Sequence, residues 1–236
     1  MSTFADRAIA FNKSLRFEQA LPEGIRIMNP FQENPWALAA SSEFYRKYYS
    51  DNRPRRFIIG INPGRFGAGL TGVPFTDPKR LKEKCGILSY DGPPAHEPSS
   101  QFVYEMIDAY GGPEKFYAEF YINSVCPLGF TSVGRNGREV NYNYYDSPAL
   151  TACALPFIME SLRGQLALNL ATDVCFCLGT GKNEKFLKGL NAEHSFCGKL
   201  VPLEHPRYII QYKAKQKDRY IEKYLAAFAA RPFLPA

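Results

Sequence analysis

Two asparagines and a histidine are the side chains whose placement could do chemistry. Asn62 opens the glycine-rich loop Gly60-Ile61-Asn62-Pro63-Gly64-Arg65-Phe66-Gly67-Ala68-Gly69-Leu70-Thr71-Gly72-Val73-Pro74-Phe75, directly after an apolar run. Asn123 stands in a second such run, and His205 follows Leu203 and Glu204 at the end of a third. Pro63 restricts the residue before it, so Asn62 is held extended, and the glycines that follow let backbone approach a ligand. Taken singly, each side chain has a structural reading: an asparagine before proline bonds its own turn, and a buried strand end needs a polar partner. At the ends of neighbouring strands, with no Asp or Glu pair nearby, the three describe a pocket that hydrogen-bonds a neutral, planar polar group. A nucleobase has that chemistry, and Phe75 would be its aromatic platform.

Other chemistries fail on spacing. Gly179-Thr180-Gly181-Lys182 follows a strand, but a phosphate loop would need glycine at Phe176 and serine or threonine at Asn183. It reads as a plain strand-to-helix turn. No G-x-S-x-G elbow supports a Ser-His-Asp hydrolase, and Ser124 lies inside a strand. The six cysteines (Cys85, Cys126, Cys153, Cys175, Cys177 and Cys197) form no CxxC pair and have no histidine at zinc-finger spacing. His96 and His194 lack an identifiable partner. Neither metal nor cofactor is expected.

The elements that must position these residues alternate. Apolar-rich runs at residues 55–61, 120–126, 174–179 and 198–203 read as strands, the first without alternation, as expected for a strand covered on both faces. Helical patterns surround them at 3–21, 36–49, 78–84, 100–110, 147–168, 183–190 and 213–229. Ser147 is placed as an N-cap, with Pro148 at the first helical position. Residues 127–146 form a long excursion rich in Asn and Tyr. The pattern specifies an α/β fold, a three-layer α/β/α arrangement with a central four-stranded, mainly parallel sheet, in a single domain spanning 1–236. In a parallel sheet the carboxyl ends meet at one rim, which brings Asn62, Asn123 and His205 together.

Composition permits this reading. With 236 residues, 45% of them hydrophobic, and a mean hydropathy of −0.29, the chain can bury a full core. No apolar run approaches the roughly 18 to 20 residues that span a bilayer, and the polar amino terminus lacks a signal-peptide core. A cytoplasmic monomer that does not act on membranes is expected. The net charge of +6 suits a polyanionic partner. Lys213, Lys215, Lys217, Arg219 and Lys223 cluster just beyond His205, either as a solvated helix face or as a phosphate-binding surface.

The residues around Asn62 carry a resemblance. Gly60-Ile61-Asn62-Pro63-Gly64 with Thr71-Gly72-Val73-Pro74-Phe75 resembles the first motif of the uracil-DNA glycosylase superfamily, most closely its single-strand-selective monofunctional branch. The segment from Asn123 through Cys126, Pro127, Leu128, Gly129 and Phe130, followed by Gly134-Arg135-Asn136, is similar to the next conserved stretch of that branch. Asn29-Pro30 with Trp36 resembles its amino end, and Leu203-Glu204-His205-Pro206 resembles its second catalytic motif.

The resemblance implies a monofunctional DNA glycosylase without metal or cofactor. It would flip and hydrolytically excise uracil or a related deaminated or oxidised base from single- or double-stranded DNA, leaving an abasic site. Asn62 would hold the attacking water, and His205 would donate a hydrogen bond to uracil O2 as negative charge develops there. Phe75 would stack on the base, Asn123 would read its N3 and O4 edge, and Ile61, Gly64 and Ala68 would line the pocket. No lysine falls at the matched positions for Schiff-base chemistry. The chain departs from the branch after Pro206, where Arg207-Tyr208-Ile209-Ile210-Gln211-Tyr212 replaces the loop that wedges into DNA. Tyr208 and Ile209 would either insert into the stack or pack on the last helix, and Arg207, Lys213 and Lys215 would meet phosphate. Ala68 is smaller than its usual counterpart, which leaves oxidised uracils, xanthine and hypoxanthine open as substrates. A non-catalytic sensor of flipped bases and a hydrolase of free nucleosides are the alternatives.

Overall fold

The computed structural model describes residues 2–134 and 136–230, so Arg135 of the segment singled out above lies outside the described residues. Among the described residues seven strands occur in chain order: β1 (Ile25–Met28), β2 (Arg55–Gly60), β3 (Phe120–Ser124), β4 (Gly129–Val133), β5 (Glu139–Tyr142), β6 (Leu170–Leu178) and β7 (Lys199–Leu203). Every residue of β2 and β3 is buried, Arg55 and Arg56 of β2 and Asn123 and Ser124 of β3 included, so these strands are covered on both faces. The central sheet has the order β3-β2-β6-β7, and each adjacent pair is parallel. Ile58 faces Ile122 on one side and Phe176 on the other.

Alternation along each strand sends successive rings to opposite layers. Tyr121, beside Phe57, meets Phe4 of the helix Phe4–Ser14 and Tyr45 and Tyr49 of the helix Pro35–Tyr48 and its C-cap. Phe120 and Phe176 meet Phe228 of the final helix, Lys217–Ala229. The sheet therefore lies between helical layers. Two arginines open β2 inside this core. Arg55 is fully buried and donates to Asp51 at 2.6 Å and to the Tyr117 carbonyl at 3.1 Å. The Arg56 guanidinium lies 4.2 Å from the centre of the Phe120 ring and donates to the Phe228 carbonyl at 2.7 Å. Paired and hydrogen-bonded, both charges tolerate burial.

Several boundaries differ from expectation for identifiable reasons. The first helix starts as expected, with a Thr3–Asp6 capping box, but stops at Ser14 and not near residue 21. Side chains from further along the chain stop it, because Asn29 and Gln32 both donate to the Leu15 carbonyl. The excursion at 127–146 contains an antiparallel hairpin, β4 and β5, extended by β1 into a second, three-stranded sheet. Its strands are short, and β5 is largely exposed, so no apolar alternation announced them. A helix at Pro113–Glu119 was also unforeseen. The final helical pattern at 213–229 divides into a single 3-10 turn at Ala214–Gln216 and the helix Lys217–Ala229, and a separate, unexpected helix, Pro206–Tyr212, precedes it. Ser147 caps the Pro148–Leu166 helix by accepting from the Leu150 amide at 3.1 Å.

Candidate active site

A cavity of about 560 Å³ opens at the carboxyl rim of the central sheet, within the range of small-molecule sites. Ile61, Asn62, Gly64, Ala68 and Phe75 line it from the glycine loop, and His205, Arg207 and Tyr208 from the segment after β7.

Asn62 is strapped in place from across the fold. Its Oδ1 accepts from the Tyr144 amide at 3.2 Å, and its Nδ2 donates to the Tyr142 carbonyl at 3.2 Å. The turn after β5 thus fixes the orientation of the amide, leaving an Oδ1 lone pair for a water in the cavity. Asn141 on β5 also joins the loop, accepting from the Arg65 amide at 3.1 Å.

Phe75 adopts a left-handed backbone conformation with φ of +53°, which costs on the order of 1–3 kcal/mol for a side chain of this size. Fully buried Thr71 holds that turn: its hydroxyl donates to the Thr76 carbonyl at 2.7 Å and accepts from the Val73 amide at 3.1 Å. The ring lies against Gly60, where an added Cβ would come within 2.9 Å of it. It also lies beside the His205 imidazole, with centroids 5.8 Å apart.

His205 caps the Pro206–Tyr212 helix. Its Nδ1 accepts from the Arg207 backbone amide at 3.1 Å, which assigns the proton of the neutral ring to Nε2. Burial, reinforced by the Arg207 charge, pulls the imidazole down to about 4, so the ring is neutral near pH 7. The preceding residue is anchored from the final helix, since Tyr224 donates to the Glu204 carbonyl and Lys223 pairs with the Glu204 carboxylate at 2.7 Å. His205 is thereby a fixed, uncharged hydrogen-bond donor.

Not every residue expected at the site reaches it. Asn123 is buried behind the wall formed by Pro63, Ala68 and Pro74, in a crevice of about 10 Å³. Its amide donates to the Tyr121 hydroxyl at 2.6 Å and accepts from the Ser124 backbone at 2.8 Å, so it does not line the main cavity. Ile209 is fully buried where the Pro206–Tyr212 helix packs on the Pro98–Tyr110 helix; it is a core residue and does not face DNA. Tyr208 remains outside, and its ring stands 5.5 Å from that of Tyr212 at the cavity mouth. Lys213 and Lys215 lie beyond the lining, at the 3-10 turn. Of the remaining basic cluster, Lys217 pairs with Glu105 and Lys223 with Glu204.

Other residues arrive unannounced. Asn141, Asn143 and Tyr145 come from the excursion, and Lys182 from the Gly179–Lys182 turn. Glu97, which precedes the Pro98–Tyr110 helix, brings a carboxyl into the wall although no Asp or Glu pair was expected. Its only sequence signal is its position before Pro98, which gives no direction for the side chain. Among the described residues no cluster of three or more His, Cys, Asp or Glu side chains is disposed to hold a metal.

The family model of the Uracil DNA glycosylase superfamily matches residues 46–229. The chain is also similar to a solved structure, the crystal structure of wild-type Pedobacter heparinus SMUG2. Sequence identity is 58%, the TM-score is 0.95, and 98% of each chain is covered.

Proposed function

The chain belongs to the uracil-DNA glycosylase superfamily, and on that premise we propose that it is a monofunctional DNA glycosylase excising uracil or a related deaminated or oxidised base. The observation that carries this reading is the convergence on one cavity of a strapped amide (Asn62), an aromatic ring (Phe75) and a neutral histidine (His205). In this reading the extruded base stacks on Phe75, and His205 donates its Nε2 proton in a hydrogen bond to O2. As the bond from N1 to C1′ breaks, its electron pair moves onto the base and the fixed donor stabilises the developing charge. A neutral donor suits this task, because it gives a hydrogen bond without having to surrender its proton.

Water held by Asn62 then adds to C1′, its proton passing to solvent, and an abasic site remains. The amide works by position, since it is no useful base. Arg207, Tyr208 and Tyr212 at the mouth provide a charge for phosphate and rings for neighbouring bases. Repair of deaminated DNA is the role this chemistry serves.

The test is a labelled oligonucleotide carrying one uracil, incubated with the protein and then treated with alkali to cut abasic sites. Cleavage at the uracil is expected, and no cleavage with uracil, xanthine or hypoxanthine would refute the reading. Lys182 lines the cavity with its ammonium 5.6 Å from the centre of the Tyr145 ring. A monofunctional enzyme gives no borohydride-trapped adduct, whereas an adduct lost in Lys182→Ala would make it a lyase.

A further inference from the structure

The amide expected to read the base is committed elsewhere, and a carboxyl stands in the cavity wall instead. Asn123 bonds Tyr121 and Ser124 behind the Pro63–Ala68–Pro74 wall. Glu97 is half-buried and lines the cavity itself. Its carboxyl rests on the glycine loop so closely that a Cβ on Gly64 would come 2.7 Å from Oε1, and one on Gly67 1.9 Å from Oε2. The two glycines clear the space it occupies. Its backbone is pinned, with the Glu97 amide donating to buried Asp77 at 2.9 Å, yet among the described residues neither carboxyl oxygen has a hydrogen-bond partner. The carboxyl therefore faces the open cavity with its hydrogen-bonding capacity unspent and available to a ligand there.

Resting on the glycosylase reading above, we propose that Glu97 is a specificity-determining residue whose protonated carboxyl donates a hydrogen bond to the exocyclic carbonyl of the extruded base. That carbonyl, O4 of uracil or O6 of a deaminated purine, is the group deamination leaves in place of an amino group. The acid offers it an O–H, whereas the carboxylate is an acceptor only and would set its lone pairs against the carbonyl.

The surroundings permit protonation near neutrality. Burial first, and then the charge of Asp77, push the Glu97 carboxyl up to about 7, with Arg207 opposing them. Arg80 pairs with Asp77 at 2.9 Å, and His96 lies 3.5 Å from the same oxygen. From the glycine loop the only charge is Arg65, whose guanidinium is 4.6 Å from the centre of the Phe66 ring. His205 is neutral, and Lys182 is a further cation on the lining.

Single-turnover excision from a uracil oligonucleotide, followed from pH 5.5 to 8.5, tests the proposal. The wild-type rate should fall about tenfold as pH rises through about 7, the worth of one hydrogen bond. Glu97→Gln keeps an N–H donor at every pH and should lose that fall. Glu97→Ala should be about tenfold slower than wild type at pH 5.5, and likewise pH-independent. A readout without variants is the wild-type ratio of uracil to 4-thiouracil excision, since sulfur is a weak acceptor. This ratio should decline as pH rises through the same range. Glu97→Gln following the wild-type fall, or a thio ratio independent of pH, would overturn the proposal while leaving the glycosylase reading intact. A wild-type protein that excises no base would instead overturn the reading on which the proposal rests.

Discussion

The two titratable groups of the cavity should oppose each other in the pH dependence of folding. His205 is depressed from 6.5 to about 4, so between these values the unfolded chain binds a proton that the folded chain refuses. Its contribution is present above pH 6.5 and is lost as pH falls. Glu97 is raised from 4.5 to about 7, so the folded chain binds its proton first. That contribution is present below pH 4.5 and is lost as pH rises through 7. Integrating proton uptake between pH 7 and 4.5 gives a loss of about 2.5 kcal/mol from His205 and a gain of about the same size from Glu97. The wild type should therefore show little net change from this pair. Glu97→Gln, which removes the gain, should lose about 2.5 kcal/mol relative to wild type on going from pH 7 to 4.5, and His205→Gln should gain about as much. Urea denaturation followed by far-UV circular dichroism at the two pH values measures both. Taking each variant against wild type at the same pH cancels the other carboxylates. If Glu97→Gln and wild type share one slope, the carboxyl is not held protonated by its surroundings; a His205→Gln slope equal to wild type would show the same of the neutral imidazole.

Other perturbations follow from the geometry. Gly60→Ala should cost about 1–3 kcal/mol by urea denaturation, because its Cβ meets the Phe75 ring at 2.9 Å, and should slow excision by displacing that ring. A variant as stable and as active as wild type would contradict this contact. Asn62→Ala should lower single-turnover excision by about 100-fold or more through loss of water placement. It also leaves the Tyr144 amide unbonded, so amide hydrogen exchange at Tyr144 should accelerate. Arg207→Ala and Lys182→Ala should each reduce the slope of log affinity for DNA against log salt by about 0.7 to 0.9, measured by fluorescence anisotropy. Lys217→Ala should change it little, because Lys217 is paired with Glu105 at 2.5 Å.

How far the residue order alone reached can be judged from particular elements. Strands buried on both faces announce themselves, because nothing polar interrupts residues 57–59 or 175–178. Their regular spacing with helices then fixes a parallel sheet, and a parallel sheet puts Asn62 and His205 at one rim. Helix starts were equally legible where a side chain acts on its own turn, as Thr3 and Ser147 do. The β4 and β5 hairpin was hidden, because strands of four or five residues, with nothing buried in β5, carry little apolar pattern and depend on pairing with β1, about a hundred residues away.

Local chemistry along the chain determined which residue types stand at strand ends: an amide before proline, a ring after glycines and a histidine before proline. Only the tertiary structure decided which way they face and what they meet. Asn123 and Glu97 show the difference. The strand end placed Asn123 at the rim, but the Tyr121 hydroxyl from the same strand drew its amide away from the cavity. Glu97 sits in a loop, where it reads as a solvated charge, until Asp77 pins its backbone and Gly64 and Gly67 make room for its carboxyl. Periodicity records the burial of a face, whereas the direction of a polar side chain is set by whichever distant partner satisfies it.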